Sequence, residues 1–339
     1  MLRPADFFRY VIALASLLAF AAHAQGRAAE MEEREAQSWL RKIPHAAQSL
    51  NYSGTFVYQQ DNRQRTSRIT HVVQGKNELE KLEVLDGRPR EYVRRNEEIV
   101  YYAPDEKALL IEQRVTREGF PALLVADPAE LSPFYLTRFG DAGQVAGYDC
   151  QVLVLVPRDN LRYGYRLWVE KSSGLLLRLQ TVAENRVLEQ IGFTRLALGN
   201  ISSQLVRPSY DNVQDWRRER STLQHVEVPG LNIGFMPPGF KQIAAVKRLL
   251  SQTAADAVGE GAKAASPGEM VQIVFSDGLA AISVFIEPGS QSRTEGSVQQ
   301  GAVNIIGKRL GDFWLTIVGE VPAAAVKQVA NSVEFKSNK

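Results

Sequence analysis

Tyr52-Ser53-Gly54-Thr55-Phe56-Val57-Tyr58-Gln59-Gln60 alternates, with Tyr52, Phe56 and Tyr58 on one face and Ser53, Thr55 and Gln59 on the other. A period of two marks a half-buried β-strand, because successive side chains of an extended backbone leave on opposite sides. The same rhythm returns at 66–75, 78–85, 90–95, 98–103, 107–113, 148–157, 163–171, 174–183 and 187–198. Between these runs stand the turn residues Asp61-Asn62, Asp86-Gly87, Pro104-Asp105 and Ser172-Ser173-Gly174. Connections this short join antiparallel neighbours, since a parallel neighbour needs a crossover of about a dozen residues or more. The expectation is one long antiparallel meander.

Upstream, residues 30–50 place Ala36, Trp39, Leu40, Ile43, Ala47 and Leu50 at helical spacing, so a helix with one buried stripe precedes the sheet. Pro44 lacks an N–H and predicts a kink or break near Ile43. A sheet of so many strands would leave its apolar face wet unless it curled around a helix. The fold class expected is therefore mostly β (α+β), opening with an antiparallel, open barrel-like domain over 30–206. Pro121, Pro128 and Pro133 punctuate 114–147, where short helices or loops are expected. Residues 207–226 are largely polar apart from Trp216 and read as a linker. Beyond it, 227–336 forms a smaller α+β domain, with strands near 241–250, 270–276, 279–286, 302–309 and 312–319 and a helix from Pro322. That helix carries the stripe Ala325, Val326, Val329 and Val333. The Ala- and Gly-rich stretch 253–268 has no periodicity and reads as a surface loop.

The first 24 residues have the form of an export signal. Arg3 and Arg9 precede an apolar run from Tyr10 to Ala22, and Ala22-His23-Ala24 supplies a small-x-small cleavage pattern. A cleaved signal over 1–24 places the protein outside the cytoplasm. Gln25 follows in place of a cysteine, so the cut leaves no lipid attachment site. Cys150 is the only cysteine, which excludes an internal disulfide and suggests a small buried filler on its strand. Forty Lys+Arg against 38 Asp+Glu leave no long-range field to collect polyanions, so no nucleic-acid partner is expected.

Catalytic constellations are missing from the pattern. After the signal the chain has only His45, His71 and His225, with no HExxH, CxxC, GxSxG or P-loop, and Gly259-Glu260-Gly261 lacks the third glycine of a dinucleotide fingerprint. A glycosidase needs only two carboxylates across a cleft, so pairings such as Glu91 with Glu170 stay open, and nothing in the sequence singles out one pair. No catalytic residue, metal ligand or cofactor is assigned, and the protein is read as a non-enzyme. Aromatic residues crowd the first domain, where they could form an apolar concavity for an acyl chain or simply pack the core. Arg88, Arg90, Arg94, Arg95, Arg162 and Arg166 accompany them and could meet carboxylates or phosphates.

Several blocks are more specific. Leu85-Asp86-Gly87-Arg88-Pro89-Arg90-Glu91, Leu131-Ser132-Pro133-Phe134-Tyr135, Gly147-Tyr148-Asp149-Cys150 and Asp159-Asn160-Leu161-Arg162-Tyr163-Gly164-Tyr165-Arg166-Leu167-Trp168 occur in that order. Leu188-Glu189-Gln190, Pro237-Pro238-Gly239-Phe240, Phe275-Ser276-Asp277-Gly278 and Ile317-Val318-Gly319-Glu320 follow. The ordered set resembles the RseB/MucB family of periplasmic sigma-E factor regulatory proteins. That resemblance implies a first domain similar to lipoprotein carriers and a smaller second domain. It also implies a negative regulator of an envelope stress response, which binds the periplasmic domain of a single-pass inner-membrane anti-sigma factor and protects it from proteolysis. Lipid or acylated ligands would release it. A periplasmic lipid or lipoprotein carrier is the alternative, and homo-oligomerisation is left open. On this reading Tyr52, Phe56, Tyr58, Tyr101, Tyr135 and Tyr165 face the lipid, and Arg90, Arg162, Arg166, Lys308 and Trp314 face the partner.

Overall fold

The computed structural model describes residues 30–113, 120–122, 128–220, 224–228, 230–249, 269–289 and 293–335. The signal expected at 1–24 and the loop expected at 253–268 lie outside them.

The first sheet has thirteen strands. Its meander runs through β1 (Tyr52–Gln60), β2 (Arg63–Gln74), β3 (Asn77–Val84), β4 (Glu91–Arg95), β5 (Glu98–Ala103) and β6 (Ala108–Gln113). It resumes as β7 (Tyr135–Phe139), β8 (Gly143–Val145), β9 (Tyr148–Pro157), β10 (Gly164–Glu170), β11 (Leu176–Ala183) and β12 (Arg186–Leu198), and β13 (Arg217–Arg220) is added last. The order is β13-β6-β5-β4-β3-β2-β1-β12-β11-β10-β9-β7, with β8 also on β9, so the sheet is open, with β13 and β7 at its two ends. Every pairing is antiparallel except β13 on β6. The ten strands expected from alternation are all present. β7 and β8 were not anticipated within 114–147, where prolines and short runs obscure the period; a one-turn helix, α2 (Pro128–Leu131), precedes them.

Helix α1 spans residues 30–49 and lies against this sheet. Its stripe of Ala36, Leu40, Ile43, Ala46 and Ala47 is buried along its length. The break expected near Ile43 does not occur, for the helix continues through Pro44. One missing hydrogen bond is outweighed by residues packed on both sides of the proline, each burying about 1.5–3 kcal/mol of apolar surface if large.

The segment after β12 is docked, not loose. The Ser209 N–H donates to Glu91 Oε1 at 2.9 Å, and Lys81 reaches Ser209 Oγ at 2.7 Å and Glu91 at 3.1 Å. Tyr210 and Trp216 pack on each other at 5.4 Å and both lie against Tyr102. Residues 209–220 thus form a strap along the outer strands of the first sheet.

The second sheet contains β14 (Gln224–His225), β16 (Lys241–Leu249), β17 (Glu269–Ser276), β18 (Ala281–Pro288), β19 (Gly296–Gln300), β20 (Val303–Leu310) and β21 (Phe313–Gly319). Its order is β14-β16-β17-β18-β21-β20-β19, while β15 (Leu231–Ile233) pairs with β22 (Val333–Phe335). Helix α3 (Ala323–Ser332) buries Ala325, Val326 and Val329 against Ile282, Val284, Leu315 and Ile317. Val333, expected on the same stripe, is equally buried but belongs to β22.

Candidate functional site

Two connected features dominate the first domain: an apolar interior beneath α1, and a polar junction where the second domain meets it. The interior has two parts. Ala36, Leu40 and Ile43 pack with Leu131, Tyr135, Leu153, Leu155, Tyr165, Leu167 and Leu176. Further along the helix, Ala46 and Ala47 pack with Tyr52, Phe56, Ile69, Leu177 and Phe193. Phe120 closes this second part, 5.5 Å from Phe56 and 5.0 Å from Phe193 between ring centres.

Four of the six residues nominated for lipid therefore line one continuous apolar layer: Tyr52 and Phe56 in one part, Tyr135 and Tyr165 in the other. All four are covered by the protein's own groups, so an acyl chain would have to displace part of that cover to reach them. Tyr58 stands apart and donates to Glu189 Oε2 at 2.8 Å; burial, then that carboxylate, holds its hydroxyl well above the usual range. Tyr101 lies out on β5 against Tyr92, 4.9 Å away, and burial followed by that neighbour pushes its hydroxyl up to about 12.

The junction is built around Arg162. Its Nη1 donates to Asp277 Oδ2 at 2.8 Å, its Nη2 to the Pro238 carbonyl at 2.7 Å and its Nε to Asp159 Oδ1 at 3.1 Å. Both Arg162 and Asp277 side chains are 0 % exposed. The guanidinium is 4.7 Å from the Phe134 ring, 5.5 Å from Tyr135 and 5.7 Å from Phe240, where ring faces favour a cation. Tyr135 donates its hydroxyl to the same Asp277 oxygen at 3.3 Å, and burial, then Asp277, keeps that hydroxyl far above its ordinary value. Gly239 allows the approach: its φ is +88°, and a Cβ there would collide with the Phe134 ring. Asn304 donates to Tyr163 Oη at 3.1 Å and to the Val321 carbonyl at 2.8 Å, and Gln60 donates to the Gln300 carbonyl at 2.9 Å.

The five residues nominated for a partner do not converge. Arg162, expected to face the partner, instead sits inside the molecule, because Asp277, Asp159 and Pro238 accept from all three of its nitrogens. Arg90 reaches Glu106 at 2.6 Å at the far end of the sheet. Arg166 is half-buried on the strand face opposite Tyr165 and Leu167, away from α1. Lys308 is opposite Leu315 and Trp314 opposite Arg309, which puts them on opposite faces of the second sheet. Trp314 is itself buried, its indole N–H donating to Thr316 Oγ1 at 3.1 Å.

The remaining chemical candidates have structural partners. Glu91 is held by Lys81 and the Ser209 N–H, and Glu170 accepts the N–H groups of Ser172 and Ser173. Five strands separate β4 from β10 in the sheet order, so that carboxylate pair has no shared cleft along the sheet. His71 is buried, donates from Nδ1 to the Leu50 carbonyl at 2.7 Å, meets Glu78 through Nε2 at 3.1 Å and stacks on Tyr52. Burial alone would raise the Glu78 carboxyl, but hydrogen bonds from His71 and Arg94 hold it down to about 2. Cys150 is fully buried, and burial, then Glu170, pushes its thiol up to about 11. Among the described residues no group of three or more His, Cys, Asp or Glu could hold a metal ion.

Asp277, Phe134, Pro238, Tyr163 and Asn304 were not singled out as site residues. The signal was nonetheless present in four of the blocks quoted above, those containing Phe134, Arg162, Pro238 and Asp277, which meet at this one junction. The profile of the MucB/RseB N-terminal domain matches residues 35–215 and that of the MucB/RseB C-terminal domain matches 227–334. The chain belongs to the MucB/RseB family. It is 26% identical to the sigma-E factor regulatory protein RseB of Haemophilus influenzae, over 91% of this chain and 94% of that protein. Identity to the sigma factor AlgU regulatory protein MucB of Pseudomonas aeruginosa is 28%, over 88% and 90%. A crystal structure of MucB in complex with MucA(peri) superposes with a TM-score of 0.66 at 27% identity, covering 89% of this chain and 99% of that one. The complex structure of Pseudomonas aeruginosa MucA/MucB gives 0.68 at 26% identity, with the same coverage. These relatives are MucB/RseB proteins along both domains, regulatory proteins by name.

Proposed function

We propose that this protein is a periplasmic negative regulator of a sigma-E type envelope stress response. It binds the periplasmic domain of a membrane anti-sigma factor and covers it against the first proteolytic cut, acting by occupancy and not by catalysis. The observation that carries this reading is the likeness across both domains to MucB in a complex with MucA(peri). Shielding a peptide needs area and shape, not an acid-base pair, and the two sheets provide area on either side of the Arg162 junction. Release follows from linkage: an acylated ligand with higher affinity for the partner-free form lowers partner affinity by the same factor. The apolar layer beneath α1, with Tyr52, Phe56, Tyr135 and Tyr165, supports lipid as that ligand. Arg166 and Lys308, both half-buried at the surface, are the nominated cations still open to a partner.

The test is protection of the purified anti-sigma periplasmic segment. Saturating mature protein is expected to slow its cleavage at least tenfold, and an acylated ligand to restore the rate. Unchanged cleavage at saturation removes the proposal. One-to-one transfer of an acylated cargo to an acceptor, without protection, would favour a carrier.

A further inference from the structure

The buried ion pair at the junction lies next to the apolar interior and is joined to it on both sides. Leu161, one residue before Arg162, packs against the core of the second domain. Leu279, two residues after Asp277, packs against the cluster beneath α1. Each domain thus inserts one leucine into the other, and each leucine is tied by a few backbone bonds to one half of the ion pair. Tyr135 makes a third connection, with its ring in the cluster beneath α1 and its hydroxyl on Asp277. Asp277 is further fixed by the N–H groups of Leu279 and Ala280, which donate to its Oδ1 at 3.0 and 2.9 Å, so it moves as one body with Leu279.

We propose that Arg162 and Asp277 form a latch holding the two domains closed, and that an acyl chain entering the apolar layer beneath α1 opens it by displacing Tyr135 and Leu279. This rests on the lipid-responsive reading above and names the device through which the response would travel. Three physical facts support it. A close-packed interior has no room for an added chain without moving its lining, and here two lining groups carry the carboxylate with them. A fully buried ion pair is stable only in its exact geometry, so a displacement of an ångström or two exposes both charges to water and leaves little attraction. The result is two states, closed with the pair dry or open with both ions hydrated, and no graded series between them.

Hydrogen exchange and small-angle scattering on the full mature chain test this, with a monoacyl phospholipid below its micelle concentration as probe. In the wild-type protein the probe should speed amide exchange at 159–163 and 276–280 at least tenfold and enlarge the radius of gyration. Asp277→Asn should show both changes with no probe present, and should bind the probe at least fivefold more tightly because no latch has to be broken. Bound probe with unchanged exchange, no probe binding, or an Asp277→Asn protein that binds no more tightly would each overturn the latch. Should Asp277→Asn fail to fold, the wild-type comparison decides alone. Failure of the functional reading is distinguishable, since it appears as absent protease protection by wild-type protein whatever the probe does.

Discussion

The apolar layer beneath α1 and the junction around Arg162 touch through Tyr135, yet they hold together by opposite means. The layer is a stripe of Ala, Leu and Ile against aromatic rings, and its attraction is non-directional. The junction is an ion pair whose three guanidinium nitrogens each have a fixed acceptor. Apolar packing can exchange one greasy neighbour for another at modest cost, whereas a buried ion pair cannot be half made. A protein that admits a lipid while keeping a defined closed form benefits from having both, one beside the other.

The most severe break in this contrast is Arg162→Met, which leaves Asp277 buried without its counter-charge. A loss of about 3–5 kcal/mol of domain docking is expected, visible in calorimetry as a wider gap between the unfolding transitions of the two domains. Arg162→Met with Asp277→Leu should recover most of it, because no charge remains buried. Leu40→Ala attacks the layer instead and should lower first-domain stability by about 3 kcal/mol through an unfilled cavity, leaving the second domain's urea midpoint unchanged. Equal shifts in both domains would show that the layer and junction are one cooperative unit.

Acid sharpens the comparison. Glu78 has its carboxyl depressed from 4.5 to about 2, so the stability it contributes is present above about 4.5 and is lost as pH falls toward 2. The first domain should therefore lose stability over that window, and Glu78→Gln should flatten the loss in a pH series of melting curves. Trp216→Ala loosens the strap from Tyr102 and Tyr210 and should cost about 1–2 kcal/mol, with faster proteolysis of 209–220. The smallest effect belongs to Lys241→Ala, whose exposed pair with Glu130 also crosses between domains but is worth about 0–1 kcal/mol and fades in salt.

Much of the architecture was legible. Ten strands of the first sheet and the stripe Ala36, Leu40, Ile43, Ala47 followed from period and spacing, since alternation directly encodes which side is wet. β13 was hidden because Arg217-Arg218-Glu219-Arg220 carries no apolar alternation, and its place on β6 is decided by Tyr102, Tyr210 and Trp216 around it. The break offered near Ile43 does not occur because packing that the local pattern does not show outweighs the local rule against proline.

The order of side chains along this chain determined which faces are apolar, how the strands alternate, that two helical stripes cover them, and to which family the blocks belong. Whether an arginine in one of those blocks meets solvent or a carboxylate 115 residues away was decided only by the folded shape. Arg162 looks the same in sequence as the exposed arginines around it. Its role depends on Gly239 letting the second domain approach and on Asp277 arriving beneath Tyr135, and such distant meetings leave no period in the sequence that could announce them.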